Sequence, residues 1–446
     1  MPTQNKVPKW WIIAGITVGV VCLVHPASVL AYVYFAAVWS TVILLIEPTL
    51  FRSFLKAFLV TGCMAAIYVA AQSYFQPLTY GTTTPGGSQT DDSYFFSLVA
   101  SAIPDGMETR PGYELSHATF SEILKAITPF PVHHPLDVLF FTSGIAGVLC
   151  IYARKLAVLI TKDEQVGWRS YNLCLFCPLL FMNGGAVLVR DTFVAALFVM
   201  SLCALFTKRL FVLFGCVLLQ FYLRPGTALI LLPLFGLMML PDALILLVNA
   251  RLRNRLAACI VFGAVAAVVA VFFRQELTLL LENNNVNVAT MSRSGLDEYI
   301  SSGGHGAFAF IQSSPFPIRA ILSVIFIWLV PFYHPNLFAE NGGFDVRSFL
   351  VAVVYPIWIV VPNAWVVALL LSKPRLPLIG MILAFAFACF LIGMVSLESR
   401  HKTVVQPLFY ILAASGARFA HPVALKIGYV TAIASLLAQI VYFHFH

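Results

Sequence analysis

Apolar runs of about 20 residues recur from one end of the chain to the other, and nothing else in the sequence limits the fold as strongly. A helix of that length crosses roughly 30 Å of hydrocarbon, where every backbone N–H and C=O must find its partner inside the segment. The runs fall at 10–24, 27–46, 57–74, 136–153, 171–188, 192–207, 210–223, 226–248, 256–273, 319–337, 348–371, 376–396, 403–417 and 423–444. A membrane β-barrel would instead show alternating segments of about 10 residues, and none are visible. Only 10% of the 446 residues are charged, against about 25% in soluble domains, so water-compatible side chains cannot cover the surface. The expectation is an all-α polytopic membrane protein, a single transmembrane domain over 1–446 with the lipid bilayer as its solvent. The opening "KVPKWWIIAGITVGVVCLV" is basic, but no small-residue cleavage site separates it from the next run, so no cleaved leader is expected. No internal repeat is visible.

The net charge of +8 does not point to nucleic acid, because the basic residues are dispersed in short connections, as orientation signals are. Lys6, Lys9, Arg52, Lys56, Arg154, Lys155, Lys162, Arg169, Lys208, Arg209, Arg251, Arg253 and Arg255 alternate correctly if the N-terminus is cytoplasmic. Lys373 and Arg375 keep the pattern only if the proline-flanked 319–337 enters and returns, or lies at the interface. That leaves about 13 transmembrane helices. Two long outward-facing (periplasmic) loops follow, at 75–135 and 274–318, and long loops of this kind are usually functional or disordered.

The nine cysteines all lie in apolar runs. Cys174 and Cys177 form a C-x-x-C without an acidic or histidine neighbour, which favours plain membrane-helix residues over a redox or zinc site. His133-His134 lacks spaced partners for a metal, and His305 sits among glycines. No metal and no cofactor are expected.

Charges at the outer ends of the runs are the candidate site. They are Asp91 and Asp92, Arg190 and Asp191, Arg224, Arg319, and Glu398, Arg400, His401 and Lys402. Charge near hydrocarbon is costly, and any one of these is explained by a side chain reaching the headgroups. As a set, Arg190, Arg224, Arg319 and Arg400 stand on the side the orientation rule disfavours. Arginine offers phosphate a planar fork of donors and keeps its proton. Gly184-Gly185 and Pro225-Gly226 would let the backbone break there. The set points to an outward site for a phosphate or diphosphate, with a carboxylate of Asp91 or Asp92 taking a proton from an acceptor hydroxyl. The bland reading of that pair is a cap, since "SQTDDSYFFSLVAS" looks like a helix start.

The same residues carry a resemblance. "DDSYFFSLVA" is similar to the aspartate-tyrosine loop of bacterial surface-polysaccharide glycosyltransferases and polymerases. "CPLLFMNGGAVLVRDTFVAALFVMSL" resembles their proline-containing span with a small-residue turn and a basic-acidic pair, and "LLQFYLRPGTALILLPL" resembles the arginine-bearing hairpin that follows. "ESRHKTVVQPLFYILAASGAR" looks like their late arginine- and proline-containing element. The resemblance, spread over most of 85–418, is to GT-C-like membrane glycosyltransferases and Wzy- and EpsG-like polymerases. It implies a polyprenyl-phosphate- or diphosphate-linked sugar donor, a glycan acceptor, the bacterial inner membrane, and other polysaccharide-export proteins as partners. It gives Asp91 or Asp92 the role of loop carboxylate, makes Arg190 and Arg224 phosphate or sugar contacts, and places Arg400 in the late motif. A flippase for lipid-linked oligosaccharide is the rival reading, but it would show charges deep in the spans and two similar halves. A non-catalytic assembly subunit is the third.

Overall fold

A computed structural model describes residues 9–75, 114–182, 184, 188, 190–224, 227–228, 231, 314–329, 337–338, 343–372, 374, 376–395 and 402–445. Regular structure among them is helical, apart from one isolated bridge between Phe338 and Phe344. In chain order the helices are α1 (Lys9–Val24), α2 (Ser28–Ile46), α3 (Phe51–Phe75), α4 (Glu114–Ile127), α5 (Leu136–Thr161), α6 (Glu164–Leu175), α7 (Pro178–Phe181), α8 (Asp191–Phe206) and α9 (Leu210–Leu223). Then follow α10 (Phe316–Leu329), α11 (Val346–Leu371), α12 (Leu376–Val395), α13 (Gln406–Phe419) and α14 (Pro422–Phe445).

Five of the described helices are long and apolar enough to cross a membrane: Ser28–Ile46, Pro48–Phe75, Leu136–Thr161, Val346–Leu371 and Pro422–Val441. Large apolar side chains point away from the core, with Leu23 88%, Leu45 80% and Phe211 94% exposed. Apolar surface on that scale is tolerated in lipid and not in water, so the chain is an all-α membrane protein. The expected 13 crossings and loop layout are not reproduced among the described residues. The run at 171–188 is not one span: Pro178 lacks an N–H and forces Cys177 into an extended conformation, so α6 ends at Leu175. The described part of helix α10 has 14 residues, about 21 Å, and the rest of the run at 319–337 lies outside the described residues, apart from Leu337. The segment read as a loop at 75–135 contains α4, whose Phe120 and Leu124 are fully buried on one face. Runs 226–248 and 256–273, apart from three residues of the first, and the loop at 274–318 up to residue 313, lie outside the described residues.

Helix α5 is the centre, its apolar window wholly buried. Glycines let its neighbours approach: a Cβ at Gly144 would overlap Trp39 of α2, and one at Gly147 would meet Phe54 of α3 at 2.9 Å. At one end of the bundle Glu47 accepts from both Lys155 and Arg209, joining the starts and ends of α2, α5 and α9. Asp163 caps α6 through Gln165 N and Val166 N and accepts from Arg418 at the end of α13. The basic residues thus gather at this end, as the orientation rule expects of a cytoplasmic face. Towards the C-terminus, α11 runs between two glycine faces. A Cβ at Gly416 of α13 would overlap the carbonyl of Trp365, and one at Gly428 of α14 would overlap that of Ala364.

Candidate functional site

The opposite end of the bundle carries Arg190, Asp191 and Arg224 of the expected site. Helix α8 begins there with Asp191, in the first turn, where a carboxylate is favoured by the unsatisfied N–H groups. Helix α9 returns to the same end and closes with Arg224 in an extended conformation. The Arg224 guanidinium donates to Asp191 Oδ1. Asp191 retains 6% of its side-chain exposure and Arg224 21%, so the carboxylate is sealed while the arginine keeps an open edge. The hairpin beneath is locked by Gln220, which donates to Ser201 Oγ at 3.1 Å. Gly184 packs against the start of α8, and a Cβ there would overlap the Thr192 side chain. Arg190 immediately precedes the helix. Of the expected residues, the structure therefore brings Arg190, Asp191 and Arg224 to one helix junction, where Asp191 is the one carboxylate partner of Arg224 among the described residues and a guanidinium has further donors to offer an oxyanion.

Lys402 stands on a different set of helices. It is fully buried, donates to the Trp328 carbonyl of α10 at 2.5 Å, and places its ammonium 5.4 Å from the Tyr355 ring and 5.9 Å from Phe409. The Lys402 nitrogen thus meets one carbonyl and two ring faces among the described residues. Beside it, Gln406 donates to Tyr355 Oη at 2.9 Å and to Tyr410 Oη at 2.6 Å, and Tyr410 donates to Cys177 Sγ at 2.7 Å. Cys177 is thus a buried hydrogen-bond acceptor. Arg319 lies in the first turn of α10. Asp91, Asp92, Glu398, Arg400 and His401 lie outside the described residues.

A second polar cluster, which the sequence did not single out, shares this end. Asp137, in the first turn of α5, accepts from the backbone N–H of His133 at 3.0 Å and of His134 at 2.9 Å, closing the helix start like the second half of a capping box. Ser28 at the start of α2 donates to its other oxygen at 2.5 Å. His25 contacts Ser28 Oγ at 2.9 Å through Nδ1, and its ring stacks on His134. The only sequence signals were the three-residue spacing from His134 to Asp137 and the "HP" interruption between the first two runs. Among the described residues no group of three or more His, Cys, Asp or Glu could hold a metal ion. The chain matches no protein-family model and no curated protein.

Proposed function

We propose that this protein is a membrane glycosyltransferase or polysaccharide polymerase. It transfers sugar from a polyprenyl-phosphate- or diphosphate-linked donor to a glycan acceptor in surface-polysaccharide synthesis. The observation that carries the reading is the Arg224–Asp191 pair at the non-basic end of an apolar bundle. A cation placed where orientation signals disfavour it, with its carboxylate sealed and its own edge open, suits a lipid-borne phosphate. In this reading the bacterial inner membrane holds about 13 crossings, and the segments 75–135 and 274–318 face outward. Asp91 or Asp92 brings a carboxylate to the acceptor, and Arg190, Arg319 and Arg400 add positive charge for the donor. Other polysaccharide-export proteins are its partners.

A strain lacking the protein should lose a surface glycan or its ladder of chain lengths, and the purified chain should move radiolabelled sugar from a polyprenyl-phosphate donor to glycan. An unchanged surface glycan in the deletion strain sinks the reading. If lipid-linked sugar instead accumulates on the cytoplasmic leaflet, the protein is a flippase.

A further inference from the structure

Ser28 has one hydroxyl proton, and it goes to Asp137 Oδ1 at 2.5 Å. The 2.9 Å contact between His25 Nδ1 and Ser28 Oγ therefore has the imidazole as donor, because a hydroxyl whose proton is committed offers only lone pairs. In the neutral ring this places the hydrogen on Nδ1 and leaves Nε2 without one. His134 accepts from the N–H of Leu136 at its own Nδ1, 3.3 Å away, so its hydrogen is on Nε2. The two rings lie 4.3 Å apart and 7° from parallel. Parallel rings send their lone pairs in parallel, and the bare nitrogen of His134 is already engaged, so the pair is not a metal chelate. Burial, with His25 alongside, holds the His134 ring down to about 4, so at neutral pH it adds no charge beside His25.

A simple tie between the α1–α2 turn and α5 is complete with Ser28 and Asp137, both buried. The imidazole adds something a tie does not need: a half-buried ring whose remaining nitrogen is a base. We propose that His25 is the proton acceptor for the hydroxyl of the incoming glycan, its Nε2 aimed by Ser28 and Asp137, which act as positioning residues.

The cluster belongs to the same working end as Arg224. Phe141 lies one turn after Asp137 and Phe193 two residues after Asp191, and their rings are 6.2 Å apart. Phe35 of α2 stands 5.9 Å from Phe141. Both polar clusters thus cap one aromatic layer. This inference rests on the glycosyl-transfer reading and moves its base from the loop carboxylate to His25, leaving Asp91 or Asp92 to bind the acceptor. The acceptor O–H bond breaks and its proton forms N–H at His25 Nε2. The oxygen's electron pair bonds to the anomeric carbon, and the bond from that carbon to the carrier phosphate breaks, its electrons leaving on the phosphate. The imidazolium faces the Asp137 carboxylate across Ser28, then releases its proton to water.

The test uses the full chain in the deletion strain and in lipid nanodiscs. His25→Gln keeps an amide that donates to Ser28, so wild-type protein level and melting temperature are expected, with glycan output cut by about 10²-fold or more. In ¹⁵N-histidine spectra of the wild type, His25 should carry its hydrogen on Nδ1, and Ser28→Ala should give a mixture of tautomers. Wild-type glycan from His25→Gln overturns the assignment alone, as does a hydrogen found on Nε2. Should His25→Gln fail to accumulate, the wild-type tautomer decides. An unaffected deletion strain removes the glycosyl-transfer reading and this assignment with it.

Discussion

The imidazoles of His25 and His134 stack with centroids 4.3 Å apart, joining the turn after α1 to the start of α5. The His134 ring, buried and beside a second imidazole, takes a proton only at about 4 rather than at its ordinary value near 6.5, although Asp137 pulls the other way. The unfolded chain binds that proton first. Between about pH 6.5 and 4 it therefore holds more protons than the folded chain, and stability falls as pH falls through this window. The melting temperature in detergent should decline there, and His134→Gln should flatten the decline. An equally steep decline in the variant would assign it elsewhere.

Arg224→Lys should keep the charge opposite Asp191 and most of the melting temperature, yet fail to restore glycan, because an ammonium lacks the planar fork. Asp191→Asn should do the opposite damage. It leaves a guanidinium without its counter-charge, at a cost near the lower end of the buried-pair range, about 3 kcal/mol, since Arg224 keeps some water. Full glycan from Arg224→Lys would show that charge alone suffices.

Gly184→Ala should destabilise the α8 junction by roughly 1–3 kcal/mol, because the new Cβ overlaps Thr192 at three of its side-chain atoms and trimming one methyl does not clear it. Thermal unfolding of the variant checks this. A neutral result would mean the backbone here gives way without cost.

At the basic end, Asp163→Ala should cost about 1 kcal/mol as a lost helix cap, whereas Arg418→Ala, removing an exposed ion-pair partner, should cost less. Asp163 is raised slightly by its little burial, but the Arg418 hydrogen bond and the two backbone N–H groups outweigh this and hold it below the usual carboxylate range. Its contribution is present above the unfolded value and is lost as pH falls through the folded one. Acid melts of wild type and Asp163→Asn should converge at low pH.

Single cysteines at Ser88 and Ser302 should react with an impermeant thiol reagent in intact cells if both loops face outward. Cys22 is exposed and must first become serine. Labelling only after lysis at either position would overturn the orientation.

The spans of α2, α3, α5, α11 and α14 were legible because a long apolar run has one use in a chain this poor in charge. Arg190, Asp191 and Arg224 were legible as a set for the converse reason, being charges where hydrocarbon penalises them. The break at Pro178 was hidden because its neighbours are as apolar as a span, so composition masked a backbone event. Helix α4 was hidden by its mixed composition, which resembles a loop unless the spacing of Phe120, Ile123, Leu124 and Ile127 is followed. The His25–Ser28–Asp137 chain left only faint local signals, since its link joins residues 109 positions apart.

The two glycines facing α11 have an effect beyond their own contacts. The neighbouring carbonyls of Ala364 and Trp365, about 100° apart around the helix, are keyed into two slots, one on α14 and one on α13. Rolling α11 would drive one or other carbonyl into a glycine's neighbours, so the two slots together set its rotation against α13 and α14.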